Sequence, residues 1–196
     1  IDSIVAEAAS IAQIRKDIHA HPELCFEEVR TADLVAAKLT EWGIPVHRGL
    51  GTTGVVGIVR GRDAGGCGRA IGLRADMDAL PMQELNTFLH ASKEPGKMHA
   101  CGHDGHTAML LGAARHLAAQ PDFDGTVVTH AYPEIGDDAG AVAVLKELTD
   151  NGCRLILYTM RSGALLDKAV KWFRDREIPL YAINENPSQQ RWTSSP

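Results

Sequence analysis

The sequence predicts an α/β protein, a three-layer sandwich around a largely parallel sheet. Two observations carry the class. Segments with helical apolar spacing alternate with short β-prone runs along the chain, the pattern of strands joined by helical crossovers. The run Ala70-Ile71-Gly72-Leu73-Arg74-Ala75 then delivers Asp76-Met77-Asp78 at its carboxyl end, where open α/β sheets collect functional groups. A third observation gives the sheet a purpose. Met98-His99-Ala100-Cys101-Gly102-His103-Asp104-Gly105-His106 holds three histidines, the thiol Cys101 and the acid Asp104 within nine residues.

The elements follow in order. Ile4 to Ile18 carries Ile4, Val5, Ala8, Ile11, Ala12, Ile14 and Ile18 on a near-helical stripe and stops before Pro22, because proline disfavours helix in the residue before it. Glu27 to Trp42 is a second helix, with Val29, Leu34, Val35, Ala37 and Leu39 as core candidates and Gly43 as its C-terminal stop. Pro45 to Arg48 is a short strand. Gly51 to Gly54 is a turn leading into the strand Val55 to Val59, and Gly61 to Gly68 is a glycine-rich loop before the strand at Ala70. Leu80 to Lys97 is a long polar loop ahead of the histidine-rich cluster. Thr107 to Gln120 is an Ala/Leu-rich helix whose positive end faces that cluster. Gly125 to Thr129 is β-prone, Gly140 to Leu148 helical, Arg154 to Thr159 a buried strand, Leu165 to Arg174 helical and Leu180 to Ile183 a strand, before an aperiodic polar tail.

Composition narrows the function. With 196 residues and 44% hydrophobic content the chain suits one well-cored domain, or one plus part of a second. A net charge of −5 gives no electrostatic case for nucleic acid or an anionic membrane. No apolar run approaches the roughly 20 residues of a membrane span. Ile1 to Ser10 carries acids without a basic flank and does not read as a signal peptide. Cys25, Cys67, Cys101 and Cys153 lack the spacing of a disulfide framework, so a cytoplasmic setting is expected.

The cluster offers the donors that a borderline-soft divalent cation takes. Cys101 as thiolate and His103 as imidazole are at alternating positions, which puts both side chains on one side of an extended segment. A catalytic ion would acidify its water and polarise a carbonyl. Asp78 is the carboxylate expected to support a ligand histidine, and Asp104 is a second acid within reach. His21, His47, His90, His116 and His130 read as structural, and Asp76 with Asp78 would ordinarily be a solvated or capping pair. It is the density of Cys101, His103 and His106 in one glycine-broken loop that favours a metal.

Four stretches carry a resemblance. His19-Ala20-His21-Pro22-Glu23-Leu24 with Phe26-Glu27-Glu28 and Thr31, Gly49 to Val56, Leu73 to Pro81, and the cluster itself resemble the metal-dependent amidohydrolases that include hippurate hydrolase and the auxin-conjugate hydrolases, within the wider aminoacylase/carboxypeptidase family. The likeness covers residues 11–128. It implies cleavage of the amide bond of a small N-acyl amino acid by metal-activated water, with Cys101 and His103 as ligands of zinc, manganese or cobalt.

Beyond that point the family's Gln-Pro-Ala-Glu-Glu-Gly segment, with its general-base glutamate, is replaced by Thr129-His130-Ala131-Tyr132-Pro133-Glu134-Ile135-Gly136. The chain therefore reads as truncated, with weak or no activity. Asp122-Phe123-Asp124-Gly125-Thr126 and Leu155 to Ser162 resemble instead two motifs of the haloacid-dehalogenase-like phosphatases. That likeness implies Asp122 as nucleophile, Asp124 as acid/base and magnesium ligand, and Thr159 as phosphate binder. It divides the chain into an amidohydrolase-like part, 1–128, and a phosphatase-like part, 129–196, overlapping at 122–128, with both folds incomplete. Three functions are then expected to compete: the amidohydrolase, a magnesium-dependent phosphatase, and a non-catalytic chimeric α/β protein whose uncovered sheet faces promote homodimerisation.

Overall fold

The computed structural model describes residues 2–50, 52–62, 70–132, 155–158 and 180–182. Three helices and six strands lie among them. Helix α1 is Asp2–Ala20 and α2 is Val29–Glu41. Strands β1, Val46–Leu50, and β2, Gly54–Arg60, form a hairpin. Strand β3, Ala70–Asp76, precedes helix α3, His103–Ala119, and strand β4, Thr126–Tyr132. Two short strands follow, β5, Leu155–Tyr158, and β6, Leu180–Ala182.

All six strands belong to one sheet in the order β1-β2-β4-β3-β5-β6. β3 pairs in parallel with β4 and β5, and β5 with β6, whereas β2 is antiparallel to both β1 and β4. Only β2 therefore opposes the common direction, which makes the sheet mixed. Strands from both sides of residue 128 share it, because β5 hydrogen-bonds to β3.

One face of the sheet is covered by the helices. Val55 and Val59 of β2, Ala75 of β3, and Val127 and Ala131 of β4 pack with Ile14 and Ile18 of α1, Val35 and Leu39 of α2, and Leu111 and Ala114 of α3. The paired residues on β2 and on β4 are four apart, an even spacing, so they point the same way. Burying a side chain such as Ile18, Val35 or Leu111, each at most 1% exposed, stabilises the fold by about 1.5–3 kcal/mol. The register pairs Gly57 with Thr129 on this same face. A Cβ on Gly57 would lie 2.7 Å from Thr129 Oγ1 and 3.1 Å from Leu39 Cδ1, so glycine is what lets α2 settle against the strand. The second helical layer of the expected sandwich would come from 140–148 and 165–174, which lie outside the described residues.

Helix α2 corrects part of the expected core. Thr31, Ala32, Val35, Ala36 and Leu39 are buried, while Val29 is 60% exposed and Ala37 is exposed. The apolar stripe therefore runs through the small residues Ala32 and Ala36, which allow close helix–sheet approach. The chain leaves the helix through Gly43 at φ +73, where the Gly43 N–H donates to Thr40, the left-handed exit that glycine permits.

The largest difference from the sequence expectation is where α3 begins. The alternating, extended reading of Cys101 and His103 gives way to a sharp turn. Gly102 is left-handed at φ +84, and His103 is the first residue of the helix, four residues before the expected start. His103, Asp104 and His106 are therefore on a helical turn rather than in a loop.

The phosphatase assignment also meets a physical obstacle. Asp122 and Asp124 are exposed and precede β4, so they stand at its amino end. The nucleophile of that family has to finish a buried strand. Asp122 instead pairs with the exposed Arg62, a surface ion pair of little energetic weight. Thr159, assigned as its phosphate binder, lies outside the described residues.

Candidate metal centre

The site forms where β3 ends and α3 begins. Thr107 Oγ1 of α3 donates 2.8 Å to the backbone oxygen of Asp76, the last residue of β3, fixing the two elements end to end. His103 and His106, three residues apart, fall on one side of the first helical turn. His106 Nδ1 meets Asp76 Oδ1 at 2.6 Å, and His103 Nε2 lies 3.8 Å from Asp76 Oδ2. One ligand atom from each of Asp76, His103 and His106 can be chosen so that all lie within 4.8 Å of one another.

Behind this set, His103 Nδ1 faces Asp78, 2.8 Å from its backbone oxygen and 3.1 Å from its carboxylate. The contact orients the ring and leaves Nε2 toward Asp76. Asp78 is buried at 5% exposure. Cys101 is exposed, lies just before the Gly102 turn and stands outside the group of three. Of the residues read from the sequence, the structure thus brings His103 and Asp78 into contact. Asp104 turns away from the group of three, toward Arg15 and His19. From the sequence, Asp76 read as a solvated or capping acid, and His106 counted in the cluster that favours a metal without being named a ligand. Their signal was the His-x-x-His spacing, which has meaning only once the helix is known to start at His103.

The charges at the site reinforce one another. Burial pulls His103 toward the neutral form, but its bond to Asp78 and the charges of Asp76 and Asp78 outweigh this and hold its pKa above the ordinary histidine value. Burial works to raise Asp76, but the His106 hydrogen bond and the Arg74 and His103 charges hold its carboxyl below the usual range. A half-buried anion facing two imidazoles is a site arranged for positive charge. The donor set of one carboxylate oxygen and two imidazole nitrogens, already close together, fits a divalent first-row ion such as zinc or manganese. Among the described residues no helix is long and apolar enough to cross a membrane.

A mixed sheet with helices on one face, and carboxylates and histidines gathered at the carboxyl end of its parallel strands, defines an α/β protein with a candidate metal-binding centre. The chain belongs to the family described as peptidase family M20/M25/M40, whose model matches residues 72–184. That match runs through residues 122–128 and on past them, and nothing in these similarities supports a phosphatase-like fragment or a chimera. The hippurate hydrolase of Campylobacter jejuni is 45% identical over 147 residues, 75% of this chain and 37% of that protein. An N-acyl-L-amino acid amidohydrolase of Geobacillus stearothermophilus is 52% identical over 101 residues, 52% of this chain and 26% of that enzyme. Among solved structures, the Bacillus subtilis YxeP protein, a dinuclear metal binding peptidase from the M20 family, superposes with a TM-score of 0.71 at 37% identity, covering 82% of this chain and 45% of that one. The chain therefore spans about a third of the length of the curated relatives it matches.

Proposed function

We propose that this chain carries part of the metal centre of a hydrolase that cleaves the amide bond of N-acyl amino acids. The observation that carries the reading is the convergence of Asp76, His103 and His106 within 4.8 Å, on a chain similar to a hippurate hydrolase and an N-acyl-L-amino acid amidohydrolase. His103 is common to the donor set drawn from the geometry and to the Cys101–His103 pair drawn from the family resemblance. Cys101, one residue before Gly102 and exposed, is the soft donor that the family resemblance adds to this set. A divalent ion bound here would supply Lewis-acid polarisation of the amide carbonyl and lower the pKa of water.

The chain's own residues do the preparatory work. Asp78 holds His103 in one orientation through Nδ1, keeping Nε2 directed at the site. Arg74, 3.4 Å from Asp76 Oδ2, and His106 keep the Asp76 carboxylate ionised, which a metal-holding oxygen requires. Thr107 ties the helix start to the strand end, so the donors cannot separate without unpacking α3. Glu134, which stands alone where the family has a glutamate pair and is not assigned as the base, lies outside the described residues.

The test is amino acid release from N-benzoyl-glycine by chelator-treated protein, with and without added zinc, manganese or cobalt, for the wild type and His103→Ala. The expected result is release that needs metal and is lost in the variant. Metal-independent release that is equal in both proteins would overturn the proposal. Stoichiometric metal binding without release would leave the centre standing and remove the activity.

A further inference from the structure

Behind the first turn of α3 is a second buried polar group that the proposed chemistry does not use. His19, in the last turn of α1, places Nδ1 3.0 Å from Asp104 Oδ2 and Nε2 3.1 Å from Glu84 Oε1. The two carboxylates are 1% and 2% exposed in their side chains and His19 is 10% exposed. Carboxylates so deeply buried have to be paired and hydrogen-bonded. Because their oxygens only accept, the bridge is complete when both ring nitrogens donate.

Each carboxylate anchors a different piece of chain. Asp104 follows His103 directly and occupies the same helical turn. Its other partner is Arg15 Nε at 3.0 Å, whose side chain is 58% exposed. Glu84 organises the long segment between β3 and α3, accepting from Asn86 Nδ2 at 2.9 Å and from the Ser92 backbone N–H. That segment is tied to α1 a second time by the Lys93 N–H, which donates 2.9 Å to the Ala20 oxygen. Phe88 and His90 add ring contacts to His19 at 5.6 and 5.7 Å.

We propose that His19 is a positioning residue that sets the metal donors. It clamps Asp104 from behind, and so fixes the turn on which His103 and His106 face Asp76. Through Glu84 it holds the 81–97 segment against the same turn. The inference rests on reading Asp76, His103 and His106 as metal donors. A residue serving only to fill the core would be replaceable by any isostere. A clamp with two distinct ends is not, because the ends can be cut separately.

The test uses His19→Asn, His19→Gln and His19→Ala in the whole chain, with two measurements. One is cobalt affinity, followed by the absorption of the bound ion. The other is backbone hydrogen exchange at Ser92 and at Gly105 and His106 in metal-free protein. Asparagine places its amide where Nδ1 stood, so His19→Asn keeps wild-type cobalt affinity and loses protection at Ser92. Glutamine reaches toward Glu84, so His19→Gln keeps Ser92 protected and loses cobalt affinity about 10–100-fold. His19→Ala loses both, and if it does not fold the other two variants still decide. Cobalt affinity equal to wild type in His19→Gln, or a parallel loss of both readouts in all three variants, would overturn the clamp. If wild-type protein and His103→Ala bind cobalt equally, the metal reading fails. Exchange alone then decides the clamp: separate loss at the two ends supports it, and unchanged exchange removes it.

Discussion

His103 Nδ1 lies 2.8 Å from the backbone oxygen and 3.1 Å from the carboxylate of Asp78. One acceptor is part of the backbone and survives any substitution there. The other is the side chain, and it supplies the negative charge that makes the imidazole a better donor through Nε2. Asp78→Ala should therefore weaken zinc or manganese binding by about tenfold, the lower end of the range for such supporting groups, while leaving the ring in place. Asp78→Asn should fall between it and the wild type. Calorimetric titration of chelator-treated protein measures this, and unchanged affinity in Asp78→Ala would show that the backbone oxygen alone orients His103.

The two donor sets that meet at His103 differ in softness, and this separates their members. A thiolate prefers a soft ion, and a carboxylate prefers a hard one. Cys101→Ser should lower cadmium affinity more than manganese affinity, and Asp76→Asn should do the reverse. His103→Ala should cost both ions about 100-fold or more, and His106→Ala about tenfold, by the scale of lost ligands and their supports. Competition titrations with the two ions give the four ratios. A Cys101→Ser protein that binds cadmium as the wild type does would exclude the thiol from the centre.

How much of this was legible in the sequence depends on the range of the interaction. The strand ending at Asp76 follows from a local β-prone run, and its position at a functional edge follows from the α/β pattern. Gly43 stops α2 as its sequence position suggests. The start of α3 was misplaced because histidine and glycine are weak helix formers. Here the Thr107–Asp76 contact and the buried Asp104 draw the helix back to His103. That tertiary override is what puts His103 and His106 on one turn. The role of Asp76 was hidden for the same reason, since its partner is 30 residues away. His19 was visible only as part of a signature, because its two carboxylates are 65 and 85 residues distant.

Gly57 tests the close approach of α2 to the sheet. An added Cβ meets Thr129 Oγ1 at 2.7 Å, Leu39 Cδ1 at 3.1 Å and Ile44 Cγ2 at 3.2 Å. The Thr129 hydroxyl sits in a strand and donates 3.2 Å to the Gly57 oxygen, so it has little room to yield. Gly57→Ala should destabilise the protein by about 1–3 kcal/mol, the usual cost of overpacking. Thermal unfolding should register about 2–4 °C for each kcal/mol in a chain of this size. A variant with unchanged melting would mean that Leu39 and Ile44 repack freely, and that the core of α2 is looser than its burial indicates.

His99 predicts the pH dependence of the fold. It is 4% exposed, and neither ring nitrogen has a hydrogen-bond partner among the described residues. Burial, with the charges of His19 and His103 acting in the same direction against those of Asp104 and Asp78, lowers its pKa to about 4. Unfolding returns it to about 6.5, so between these values the unfolded chain holds more protons than the folded one. Stability from this residue is thus complete above about pH 6.5 and drains away as the pH falls toward 4. The loss should be on the order of 1–3 kcal/mol. Urea unfolding at pH 7.5 and pH 5, on wild type and His99→Gln, measures it. The glutamine variant does not titrate, so its stability should fall less between the two pH values even if it starts lower. Equal acid sensitivity in both proteins would remove His99 as its cause; Asp104, held below the usual carboxylate range by Arg15 and His19 despite its burial, gives up its contribution only at pH values below about 4.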